Sequence, residues 1–131
     1  MQQAPYYPPN TPLGELVTLV AATADVNSNT MVNGFFRGLT VYVNITALTG
    51  TSPTVTVTIE AYDSVSQGYV TLLESAALAA TGVTMLQIYP GIASLANESA
   101  NAVLPNEWRI AVALGGTTPA VTGSISANYQ N

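Results

Sequence analysis

The sequence has no cysteine, no histidine and no lysine, and its only cations are Arg37 and Arg109. Each absence closes a line of chemistry. Without Cys there is no disulfide and no thiolate nucleophile. Without both Cys and His the ordinary zinc sites are gone, and so is the side chain that titrates near neutral pH. Charged residues make up 7% of the chain, against about a quarter in an average soluble domain. Two cations against seven carboxylates, a net charge of -5, cannot neutralise a run of phosphates. Nucleic acid and anionic membrane surfaces are therefore not expected as partners. No uncharged apolar run reaches the roughly 20 residues of a membrane-spanning helix. The opening Met1-Gln2-Gln3 lacks the basic and apolar regions of a secretory leader, so the expectation is a soluble chain made in the cytoplasm.

What is present is a hydrophobic content of 48% in 131 residues, enough for one domain with a core of its own. Prolines crowd the start: Pro5, Pro8, Pro9 and Pro12 bracket Tyr6 and Tyr7. That density forbids helix and central strand, so residues 1–14 are expected to form an extended arm ahead of a folded domain over residues 15–131. Tyrosine adds contact area at small entropic cost and proline reduces the entropy lost on docking, which makes Pro5, Tyr6, Tyr7, Pro8, Pro9 and Pro12 candidate partner-binding residues.

From Glu15 onward the pattern is that of strands separated by turn residues. Glu15 to Ala24 is apolar and β-branched. Leu39, Val41, Val43, Ile45 and Ala47 alternate with Thr40, Tyr42, Asn44 and Thr46, and Val55, Val57, Ile59 and Ala61 alternate with Thr54, Thr56, Thr58 and Glu60. With Thr49-Gly50-Thr51-Ser52-Pro53 between them, residues 35–63 are expected to form a β-hairpin. A turn over residues 63–68, strands over 69–80 and 83–89, and a loop over 92–101 follow. Two further strands, over 107–114 and 120–129, are separated by an expected turn at Gly115-Gly116-Thr117-Thr118-Pro119. The segment 49–57 echoes 115–123, which suggests two hairpins with similar turn chemistry. The implied fold is all-β, an antiparallel β-sandwich or jelly roll of about 7–8 strands with an extended N-terminal arm.

Seven scattered acids leave little for catalysis. Glu60, Asp63, Glu74 and Glu98 are the acid/base candidates, but scattered carboxylates are what an otherwise uncharged surface needs to stay soluble, so the expectation is a non-enzyme. There is no Asp-rich calcium loop, and no metal or cofactor is expected. Arg109 follows Trp108 on the opposite strand face and is expected to pair with Glu60 or Glu74 across a neighbouring strand. As the only cations, Arg37 and Arg109 are also candidate interface residues. Trp108, in phase with Ile110 and Val112, is expected in the core. The expected outward faces carry Thr, Ser, Asn and Ala where most proteins place Lys and Glu, and uncharged faces and edges attract other surfaces.

Residues 35–129 as a whole, through Gly38-Leu39-Thr40-Val41-Tyr42-Val43, Pro53-Thr54-Val55-Thr56-Val57-Thr58-Ile59, Leu104-Pro105-Asn106-Glu107-Trp108-Arg109-Ile110 and the segment 115–119, resemble small all-β virion proteins of tailed bacteriophages. The resemblance implies a capsid decoration or cement protein: made in the host cytoplasm, placed on the capsid outer surface, bound as a homotrimer to the major capsid protein, with a terminal arm reaching a neighbour. The competing expectation is a carbohydrate- or receptor-binding β-sandwich, for which Tyr62, Tyr69, Tyr89 and Trp108 would be the stacking platforms.

Overall fold

The structure is a computed structural model and describes residues 9–131. Among them there is no helix. Eight strands run in the order β1 (Thr11–Ala22), β2 (Val26–Asn27), β3 (Met31–Val32), β4 (Gly38–Asp63), β5 (Gly68–Glu74), β6 (Gly82–Ile88), β7 (Ser99–Ala100) and β8 (Glu107–Gln130). The expected all-β fold is what these residues form. All eight strands belong to one hydrogen-bonded sheet, antiparallel except where β7 joins β6.

Two strands dominate. β4 has 26 residues and β8 has 24, far beyond the usual 3–10. They pair antiparallel along almost their whole length, from Gly38 opposite Gln130 to Ala61 opposite Trp108. The expected hairpin over residues 35–63 is therefore not formed, and neither is the expected turn at 115–119. The two turn-like segments lie against each other instead, Thr49 opposite Ala120, Thr51 opposite Thr117 and Thr54 opposite Gly115, with irregular register between these pairs. The physical reason is in the backbone. Gly50 (φ 120°) and Ser52 (φ 48°) precede Pro53, and Gly116 (φ 94°) and Thr118 (φ 48°) precede Pro119. Positive φ at matched places bends both strands together, as paired bulges do, and reverses neither. The echo between 49–57 and 115–123 is thus the two sides of one fold line.

Beyond that line the ribbon doubles back. Trp108 and Tyr129 are 21 residues apart on β8, which would separate them by roughly 70 Å in a straight strand. Their rings meet edge to face at 6.0 Å, and the indole N–H donates to the Tyr129 hydroxyl at 3.3 Å. One arm of the folded ribbon extends its sheet with β1 beside β8 and with β6 and then β7 beside β4. The other extends it with β2 and β3 beside β8 and β5 beside β4. A single core fills the space between. It takes Leu39, Val41, Val43 and Ile45 from one half of β4 and Val55, Val57 and Ile59 from the other, with Trp108, Ile110, Val112, Val121, Ile125 and Tyr129 from β8. These are the faces that alternation predicts, apart from Ala47, which the register shift after Ile45 leaves exposed.

Three boundaries differ from expectation. β1 begins at Thr11, not at Glu15: Thr11 and Pro12 pair with Tyr129 and Asn128, and Leu13 packs against the core. Proline is tolerated there because β1 is an edge strand and one side of it needs no donors. The expected strand over residues 69–80 stops at Glu74, after which only Leu78 makes a bridge, to Val55. The loop over residues 92–101 contains the short strand β7. The real hairpin is β4–β5, turned by residues 63–68 as expected. The Asp63 carboxylate closes the turn by accepting from the Val65 and Ser66 N–H groups, each at 3.2 Å.

Candidate functional site

Arg109 is where pairing across strands was expected to put it. Its Nε donates to Glu60 Oε1 at 2.8 Å, directly across the β4–β8 ladder. Its guanidinium lies 3.5 Å from the centre of the Tyr69 ring, and Tyr69 in turn meets Tyr62 at 5.0 Å, tilted by 49°. The Tyr69 hydroxyl shares a short hydrogen bond with the Thr30 hydroxyl. The cluster is built by register alone: Glu60, Arg109 and Thr71 share one row, and Tyr62 and Tyr69 the next, on the face away from the core. Its ionic part is partly exposed, which limits the pair to about 1 kcal/mol at most.

Arg37 sits elsewhere in the chain's course, ahead of β4. Its backbone N–H donates to Gln130 at 3.1 Å and its carbonyl accepts from Leu104 at 2.8 Å, with the side chain on the exposed surface. Of the candidate arm residues, Pro5, Tyr6, Tyr7 and Pro8 lie outside the described residues. Pro9 and Pro12 are exposed, and Pro12 belongs to β1.

Of the four aromatic residues suggested as platforms, Trp108 is fully buried and serves the core. Tyr62, Tyr69 and Tyr89 are half-buried. Among the carboxylates weighed for acid/base chemistry, Glu60 is held by Arg109 and Asp63 by its turn. Hydrogen bonds from the Ser66 side chain and from the Val65 and Ser66 backbone hold Asp63 below its ordinary value of 3.8, the opposite of what a general acid requires. Among the described residues no three His, Cys, Asp or Glu side chains gather where they could hold a metal ion.

Sequence reasoning did not single out the outer edge of β6. There Val83 is 67% exposed and Met85 48%, beside a groove of about 310 Å³ whose far wall includes Leu95, Glu98 and Ser99. The available signal was the absence of charge from residues 75–97, the run that contains β6.

No family model, no curated protein and no solved structure matches the chain.

Proposed function

We propose that this chain is a non-enzymatic structural protein of a virus particle, a capsid decoration or cement protein that binds the outer surface of the major capsid protein lattice as a homo-oligomer. One observation carries the reading. The outward surface of a well-packed sheet is paved with small uncharged side chains and carries exposed Val20, Val32, Val83 and Met85, with Phe35 exposed in the bend ahead of β4, a surface suited to being covered by protein. The resemblance of residues 35–129 to small phage virion proteins points the same way. Nothing in this reading calls on acid/base or nucleophilic chemistry. The test is occupancy: purified protein added to undecorated capsids should saturate them and raise their resistance to heat or chelation. Failure to bind at saturating concentration would overturn the reading.

A second reading has one observation in its favour. Tyr62 and Tyr69 form an outward aromatic pair beside the Arg109–Glu60 pair, the combination of ring face and planar polar groups that sugars use. Binding to a glycan array that Tyr62→Ala abolishes, with no capsid binding, would favour it.

A further inference from the structure

We infer that the open edge of β6 is a two-fold self-association site, at which β6 of a second copy adds antiparallel and continues the sheet. The inference deepens the self-associating part of the proposed function and rests on it. The Gln87 N–H donates to Glu98 and the Tyr89 N–H to Ala100, both away from β4. Backbone groups alternate in direction along a strand, so the N–H and C=O groups of Val83 and Met85 also point away from β4. β7 covers only Gln87 and Ile88, and among the described residues no strand lies opposite Val83 and Met85.

The other end of that arm of the sheet is protected. β1 carries Pro12, Gly14, Glu15 and three register shifts against β8, the usual devices against edge pairing. β6 has no proline, no charge and no shift against β4. This contrast disfavours head-to-tail growth through β1 and leaves β6 to meet its own kind. Charge selects the occupant. The chain carries -5 overall, so two copies repel over most approaches, whereas β6 itself is uncharged and Glu98 is the one charged residue among those lining the groove beside it.

Within β6, only one register gives both Val83 and Met85 free partners. Centred on Thr84, it pairs Val83 with Met85 of the second copy and the reverse, forming about four hydrogen bonds and placing the exposed Val83 and Met85 side chains across from each other. A register centred on Met85 would need Gln87, whose N–H is taken by Glu98. The contact is two-fold, so it builds dimers or even-numbered assemblies and not the trimer that the resemblance implies.

The chain has no cysteine, so Thr84→Cys introduces a sole thiol. In the inferred register the Cα atoms of the two substituted residues would lie about 4.5 Å apart, inside the disulfide range. Mild oxidation should give a covalent dimer on a non-reducing gel, while Thr18→Cys on β1 should give none. Met85→Pro removes an N–H that the β4 ladder does not use and should weaken self-association about tenfold or more in sedimentation, as should Val83→Lys. Val65→Lys in the β4–β5 turn should leave it unchanged. A full-chain oligomer whose mass ignores both β6 variants, together with a Thr84→Cys variant that does not cross-link, overturns the β6 assignment and leaves the oligomeric reading standing. A wild-type monomer at about 100 µM, well above the dissociation constants of ordinary specific dimers, overturns both.

Discussion

Tyr129 shows how much one side chain can tie together. It stacks on Phe36 at 4.5 Å, accepts from the buried Trp108 indole and donates to the Val32 carbonyl at 3.1 Å. Tyr129→Phe keeps the ring but strands a buried indole N–H and a carbonyl, and should cost about 1–3 kcal/mol in denaturant unfolding. Burial raises the Tyr129 hydroxyl above its ordinary value of 10.0, outweighing the opposing hydrogen bond from Trp108. Its contribution is therefore complete below pH 10 and is lost as the pH rises through the folded value, a loss that the Phe variant should lack. Asp63 has the opposite sign. Its lowered value means that its contribution is present above 3.8 and is lost as the pH falls through the folded value. Thermal unfolding of Asp63→Asn and wild type should converge on acidification, and their separation near neutral pH should be small because the group is exposed. Glu60→Gln should shift stability by under about 1 kcal/mol. The burial of Trp108 and the pairing of Arg109 with Glu60 or Glu74 were legible in the sequence, because period-two alternation sets which side chains share a face, whereas the choice of Glu60 depends on the β4–β8 ladder between residues 49 apart. The Tyr129 contacts were not, since they join residues that only the folding of the ribbon brings together.

At the scale of the strands, the sequence marks where the backbone must take positive φ but does not say what the chain does there. Gly50-Thr51-Ser52-Pro53 has all the residues of a hairpin turn, and a hairpin is the answer that neighbouring residues alone would support. The partner that overrides it, Gly116-Thr117-Thr118-Pro119, is 66 positions away. The fold line is consequently sensitive to a single methyl group. A Cβ on Gly50 would lie 2.7 Å from the Thr118 carbonyl oxygen, and one on Gly116 would lie 2.5 Å from that of Ser52, both at positive φ. Gly50→Ala and Gly116→Ala should each destabilise by about 2 kcal/mol or more, measured by chemical denaturation. By contrast Gly82→Ala meets no atom within 4 Å, and only its φ of +139° opposes it. The double variant at Gly50 and Gly116 should be less damaging than the sum, because the two residues bear on the same crossing.

For the whole molecule, the all-β class and the composition of the core could be read from alternation, whereas the order of strands could not, because it depends on which distant segments pair. The N-terminal boundary is a case in between. Prolines argue against a strand, and only the edge position of β1 makes Pro12 acceptable. Deletion of residues 1–8 should leave the melting temperature nearly unchanged, while deletion of residues 1–13 should lower it by removing the pairs at Thr11 and Pro12 and the packing of Leu13. If Tyr6 and Tyr7 act as anchors at about 1–2 kcal/mol each, the shorter deletion should weaken capsid binding by roughly ten- to a thousandfold. Undiminished occupancy would remove the arm from the binding surface.

The position of β8 has a consequence for the order of events during synthesis. β8 pairs with β1, β2, β3 and β4, and it comes after all of them. Until residues 107–130 have left the ribosome, β1 has no strand beside it, β2 and β3 have nothing to hold them, and the inner face of β4 lacks Trp108, Ile110 and Ile125. Only β4, β5, β6 and β7 can associate earlier. A nascent chain of about 100 residues therefore offers uncovered β-branched strands to any chaperone or neighbouring chain, and the final closure joins residues as far apart as Thr11 and Tyr129. Such long-range closure is slow, on the order of milliseconds to seconds. Ribosome-bound chains arrested before residue 107 should be protease-sensitive throughout β1, and release of β8 should protect them in a single step.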